Sequence, residues 1–184
     1  MTTTSNILKK DTHSIKNGIE KLVVNVGLGR IGQQPQFKEK ILPEILRELS
    51  LITGQKPSPR PARKSIAGFK VREGDVIGAK VTLREKRMDN FLTELINVVL
   101  PRVRDFRGID LKNIDESGNL NLGFKDQSIF PEIDLDKSKV SFGLQITVVP
   151  KEKDREKALD LYKSIGIPLK GLAQESKSAK ADEG

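Results

Sequence analysis

Between Ile52 and Arg87 the chain carries Lys56, Arg60, Arg63, Lys64, Lys70, Arg72, Lys80, Arg84, Lys86 and Arg87 against only Glu73, Asp75 and Glu85. These 36 residues therefore hold a net +7 of the chain's formal +8. Crowding like charges onto one surface costs free energy unless a polyanion neutralises them. The chemistry such a set supports is binding, and the polyanion it fits is nucleic acid.

Catalytic chemistries find less support. Gly27, Gly29 and Gly32 form GxGxxG directly after a predicted strand. A dinucleotide site needs its third Gly in the first helical turn and an acidic residue ending a second strand about 20 residues on. Here Gln33, Gln34 and Pro35 separate Gly32 from the helix, Glu44 and Glu48 fall inside that helix, and Pro57-Ser-Pro59-Arg-Pro61 makes a poor central strand. Glu132, Asp134 and Asp136 are close carboxylates without a base, a metal partner or a phosphate loop, so a solvated loop is expected. The absence of Cys removes disulfides, thiolate nucleophiles and sulfur-rich zinc sites, and His13 stands alone in a polar stretch. We expect no enzyme, no cofactor and no metal.

The elements that would position the cations follow from periodicity. Ile19 to Val26 alternates as a strand, with Leu22, Val24 and Val26 facing one way and Lys21, Val23 and Asn25 the other. Phe37, Ile41, Ile45, Leu49 and Ile52 recur at helical spacing up to a Gly54 C-cap, with a kink or restart expected at Pro43. Gly78 to Arg84 is a second strand, and Met88 to Val99 a second helix that Pro101 is expected to stop. Asn121 to Phe124 and Val140 to Val148 are further strands, and a third helix covers about Glu152 to Ile165 before Gly166. This order predicts an α+β fold, a mainly antiparallel sheet with helices on one face, a ferredoxin-like or RNA-recognition-like sandwich. Residues 1–18 read as a polar extension, 19–170 as a single RNA-binding domain, and 171–184 as a disordered tail. No stretch is apolar enough for a signal peptide or a membrane span, so the reading is cytoplasmic, without a membrane partner.

The sheet face away from the helices would present Asn25, Lys80, Thr82, Arg84, Gln145 and Thr147. An ordinary solvated face looks the same, and the adjacent +7 segment is what favours RNA. With no aromatic residue there to stack unpaired bases, folded RNA read by shape, phosphates and 2′-hydroxyls is the expected ligand.

The strings TGQKP, ARKSIAGFKVREG, IGAKVTLR, LINVVLPRVRDFRGI and IFPEID, in this order, resemble the bacterial large-subunit ribosomal protein L five family. The resemblance runs from about Ile19 to Pro168. It implies a structural constituent of the large subunit that binds 5S rRNA in the central protuberance through Asn25, Gln55 and Thr82. The cations Lys56, Arg63, Lys80 and Arg84 join that rRNA-binding set. It also implies that a loop matching Ser65 to Asp75 contacts peptidyl-site tRNA. Gly68 and Gly74 there allow close backbone approach, and Lys64, Lys70 and Arg72 meet phosphates. Ser65 belongs to the same loop, and Phe69 at its tip is either a stacking ring or an anchor. Large-subunit rRNA and neighbouring large-subunit proteins are further partners, and a bridge to small-subunit protein S thirteen falls at about Asp110 to Leu122. Arg102, Arg104 and Arg107 serve rRNA or are simply solvated.

This chain departs from the family's pattern in having only about eighteen mostly polar residues before Ile19, Ser58-Pro-Arg60-Pro where an aliphatic strand is usual, and a longer polar C-terminus. A different functional class, an RNA-binding regulator or RNA chaperone acting off the ribosome, fits the same surface. Co-sedimentation with 50S particles separates the two.

Overall fold

The computed structural model of the protein describes residues 18–29, 31–134, 138 and 140–170. His13, Asp136 and both polar termini lie outside them. The backbone forms β1 (Ile19–Gly27), α1 (Leu42–Thr53), β2 (Ser58–Pro61), β3 (Val76–Leu83), α2 (Glu85–Glu94), β4 (Leu120–Phe124), β5 (Leu144–Pro150) and α3 (Arg155–Ile165). The five strands make one antiparallel sheet in the order β2-β3-β1-β5-β4, so the expected α+β class holds.

Alternation in β1 and β3 sets the two faces. Leu22 lies opposite Leu83, Val24 opposite Val81 and Val26 opposite Ala79, and all six are buried. The intervening pairs, Val23 with Thr82 and Asn25 with Lys80, turn to the other face. β2 is an edge strand, as its Pro59 and Pro61 require, since neither has an N–H to donate to a ladder.

The described chain divides into two compact units. One comprises residues 18–21, 88–121 and 148–170. Within it Met88, Phe91, Leu92, Leu95, Val99 and Leu100 are buried along one helical face, as are Ala158, Tyr162 and Ile165 of α3. Asp154 caps α3 by accepting the Glu156 and Lys157 amides, and Gly166, at φ 88°, ends it. The Tyr162 hydroxyl donates to the Gly118 carbonyl at 2.6 Å, and burial raises its pKa, so it remains a donor.

The other unit comprises the described residues of Leu22–Arg87 and Leu122–Thr147. Ile45, Leu49 and Ile52 give α1 its buried face, and Gly54, at φ 61°, terminates it. At its centre Gln127 is 2 % exposed. Its amide nitrogen donates to the Val140 carbonyl at 2.6 Å and approaches Glu48 of α1 at 3.3 Å, while its oxygen accepts the Phe142 amide at 2.9 Å. This side chain corrects the expected strand from Val140 to Val148. The Val140 carbonyl and the Phe142 amide bond the Gln127 side chain, and β5 begins only at Leu144. Phe142 remains buried, as its place in the alternation requires.

Pro101 does not stop the second helix. α2 continues through a π turn at Leu95–Val99, where the Leu100 amide reaches the Leu95 carbonyl, and a last turn runs to Arg102. The wider turn opens the backbone just ahead of Pro101, whose ring and missing N–H would disrupt a regular α-turn. Pro43 receives the same treatment: a π turn at Phe37–Ile41, closed by the Leu42 amide on the Phe37 carbonyl, precedes the restart in α1.

Gln127→Ala is expected to leave the Phe142 amide buried without its acceptor and to cost roughly 1 to 3 kcal/mol, seen as a lower urea midpoint at constant m-value. A midpoint within error of the parent would show that water replaces the amide without penalty.

Candidate nucleic-acid interface

Three strands lay a polar row across the sheet. Lys80 of β3 stands between Asn25 of β1 and Ser58 of β2, each its direct cross-strand partner. Asn25, Lys80 and Thr82 are half-buried, so their polar ends sit in the surface of the face and not on long tethers. Gln145, exposed, and Thr147, half-buried, alternate outward on β5. The face carries Asn25, Lys80, Thr82, Gln145 and Thr147 as expected, with Ser58 in addition, while Arg84 lies just past the end of β3. Sequence alternation contained the signal for Ser58, but the prolines around it obscured the strand.

Gln55 follows the αL cap at Gly54 and turns back to β3. Its amide donates to the Thr82 carbonyl at 3.1 Å, two residues beyond the last β2 pair, Ser58 with Lys80. A side chain thus supplies the donor that the strand no longer does. The Gln55 oxygen accepts from the Arg87 guanidinium at 3.1 Å, so two of its bonding positions are internal and its orientation is fixed. Nothing in the sequence pointed to Arg87 as that partner.

Beyond β2 the chain enters an arm. Its root is tied by the Ala62 amide on the Asp75 carbonyl and the Gly74 amide on the Ala62 carbonyl, and its middle by an antiparallel bridge between Ile66 and Val71. Ser65 accepts the Glu73 amide. A single 3-10 turn, Ala67–Phe69, makes the tip and leaves Lys70 in the left-handed region at φ 52°. Phe69 is 68 % exposed, and Gly68 faces open space, as does Gly74 at φ 85°. Arg63, Lys64, Lys70 and Arg72 are exposed around it. Among the described residues Lys56, Arg60, Arg63, Lys64 and Lys70 make no ion pair with protein, leaving their charge for an external anion. Arg63 sits with the arm and not on the sheet face, whereas Lys56 is at the start of β2 and Arg84 at the end of β3.

Asp75 anchors the arm's root. One carboxylate oxygen accepts the Arg72 amide and the other meets the Lys38 ammonium, both at 3.0 Å. These contacts, the Arg72 amide foremost, hold its pKa below the ordinary 3.8. Asp126 is held low by the Ser141 hydroxyl and the Ser128 amide.

Two amides of the glycine turn after β1 bond within the protein. The Leu28 amide bonds the Ile77 carbonyl, the Gly32 amide bonds the Leu28 carbonyl, and the helix begins only beyond Gln36. Glu132 and Asp134 are exposed on either side of the buried Ile133.

Fold and surface define a small α+β protein with a polar sheet face and a cationic arm. Residues 16–72 match the family model "Ribosomal protein L5", and residues 76–169 match the model of the same ribosomal family's C-terminus. Proteins named "Large ribosomal subunit protein uL5" are similar: that of Syntrophomonas wolfei is 52 % identical over 152 residues, 83 % of each chain. Those of Lacticaseibacillus casei and Malacoplasma penetrans are 52 % and 49 % identical over 151 residues, 82 % of this chain and 82 % and 79 % of theirs. The chain belongs to the uL5 family of large-subunit ribosomal proteins. It is a structural constituent of the large ribosomal subunit, cytoplasmic in bacteria, and like its relatives it is not an enzyme.

The two faces of β3 give a direct test. Val81, 1 % exposed, belongs to the core, so Val81→Asp buries an unpaired carboxylate and is expected to unfold the protein. Thr82→Val keeps volume and branching and is expected to leave the melting temperature within a degree or two, by thermal denaturation. The reverse result would mean the faces are assigned the wrong way round. A second test concerns acid. Because the Asp75 pKa is depressed, its tie to the arm is complete above the ordinary 3.8 and lost as pH falls through the lower folded value. Amide chemical shifts of Phe69 to Arg72 should therefore move in a transition whose midpoint lies below pH 3.8, and Asp75→Asn should abolish that transition.

Proposed function

We propose that the polar sheet face binds 5S rRNA, with Asn25 and Thr82 as hydrogen-bonding groups, Gln55 beside them, and Lys56, Lys80 and Arg84 meeting phosphates, joined by Arg63 from the base of the arm. The observation that carries this is the row Ser58, Lys80, Asn25 on adjacent strands, with Gln55 bonded to Thr82 two residues further along β3. A half-buried cation flanked by two neutral polar groups suits a phosphate and adjoining 2′-hydroxyls, and a face without aromatics suits structured RNA. The arm from Ser65 to Asp75 reaches the peptidyl-site tRNA. Its exposed Phe69, Gly68 and unpaired cations support that reading. The stretch Asp110–Leu122 forms the bridge to small-subunit protein S thirteen. There Asp110, Leu111, Lys112 and Asn113 are exposed while Ile114 and Leu120 are buried and bridged to each other, which presents a held surface turn. Large-subunit rRNA and neighbouring proteins complete the set of partners.

Asn25→Ala and Thr82→Val should each weaken binding to isolated 5S rRNA several-fold, a lost hydrogen bond of roughly 0.5 to 1.5 kcal/mol, relative to a size-matched structured RNA. Gln55→Ala should do the same while also releasing the Thr82 carbonyl and Arg87. With about six phosphate contacts, affinity should fall on the order of 10² to 10³ between 50 and 200 mM salt. A flat salt response removes the electrostatic basis. The combined Lys64→Ala, Lys70→Ala and Arg72→Ala variant should keep 5S rRNA binding and lose protection of peptidyl-site tRNA in chemical footprinting. Collapse of 5S rRNA binding would place the arm in the rRNA site instead.

A further inference from the structure

The arm is held by polar ties more than by packing. Beneath it lies an open groove of about 840 Å³ lined by Gly29, Gln33, Ile66, Phe69, Val71 and Ile77. Ile66 is 50 % and Phe69 68 % exposed, so no close-packed apolar contact fixes the direction of the tip. Two side chains from outside the arm reach across to it. Gln33 donates its amide to the Phe69 carbonyl at 3.0 Å, at the tip, and Lys38 pairs with Asp75 at 3.0 Å, at the root. Asp75 passes that restraint on to the Arg72 amide through its second oxygen.

The base from which Gln33 acts is itself fixed. Leu28 is fully buried and bonded through its amide to Ile77 at 2.9 Å, and the Gly32 amide closes back on the Leu28 carbonyl at 2.6 Å. A 3-10 turn at Ile31–Gln33 follows at once. The glycine sequence that superficially suggests a dinucleotide site is thus a compact footing beside the arm.

We infer that Gln33 and Lys38 are positioning residues, which set the arm's direction by holding the Phe69 carbonyl and the Asp75 carboxylate from the turn and the π turn that follow β1. Their role in tRNA contact rests on the reading of the arm given above. Neither touches RNA in this scheme. They act through the orientation of Phe69, Lys70 and Arg72.

The test uses the full chain, free and assembled into ribosomes, with Gln33→Glu, Lys38→Met, the double variant, and Lys38→Arg as the conservative control. Gln33→Glu keeps the shape but replaces the amide donor by a carboxylate facing the carbonyl. In the free protein the double variant should speed amide hydrogen exchange at Phe69 to Arg72 by about three- to tenfold, the range for lost surface hydrogen bonds. Its melting temperature and its binding to 5S rRNA should stay unchanged, and Lys38→Arg should exchange like the parent. In ribosomes the double variant should show reduced protection of peptidyl-site tRNA. Unchanged exchange overturns the inference. So does faster exchange with full tRNA protection, provided the Lys64, Lys70 and Arg72 alanine variant loses that protection. If the alanine variant also keeps full protection, the arm's contact with tRNA is the reading that fails, and the exchange result alone decides whether the two residues hold the arm.

Discussion

Six cross-strand pairs between β1 and β3 fix what each side of this protein is for. The apolar pairs Leu22 with Leu83, Val24 with Val81 and Val26 with Ala79 can share the buried face only in a register of this parity. A slip of one residue would carry Asn25 and Thr82 toward the core and Val24 and Val81 into solvent. Burial of the aliphatic set therefore places the polar set without any polar interaction having to do so. Lys80 gains a fixed position between Asn25 and Ser58 as a by-product of where Ala79 and Val81 must go. The polar face depends on the hydrophobic register more directly than on its own hydrogen bonds.

Because that constraint is a period of two, it is legible in sequence. The strand pattern of β1 and β3, the outward positions of Asn25, Lys80 and Thr82, and the αL termini at Gly54 and Gly166 all follow from local rules that the tertiary structure obeys. What local rules do not carry is substitution of one kind of bonding group for another. The backbone at Val140 and Phe142 has a strand's alternation, yet its partner is the side chain of Gln127, fifteen residues from Phe142. The Thr82 carbonyl is likewise met by Gln55, twenty-seven residues away. A polar side chain completing a sheet over such a span leaves no mark in periodicity.

The prolines show a related limit. Pro43 and Pro101 each stand just beyond a π turn, and in both places the chain continues helically past the proline. A proline in a helical pattern predicts a break because a regular α-turn cannot accept it. One extra residue in the preceding turn removes that conflict, so the same residue that signals a stop marks a change of helical register. Apolar spacing alone does not reveal the change, since Phe37 and Ile41, or Leu95 and Val99, keep the four-residue step across it.

Edge strand β2 bears on the life of the protein before any partner is present. An open sheet edge offers its unused amides and carbonyls to a strand of another molecule, and pairing of this kind is the usual route to aggregation. Pro59 and Pro61 remove two N–H donors from this edge, and Arg60 between them puts a positive charge on it. Two molecules meeting edge to edge would align like charges and lack the donors for a continuous ladder. The sequence that weakens β2 as a strand thereby keeps a highly basic surface from being approached by its own kind, while phosphate, which needs no strand ladder, can still reach it.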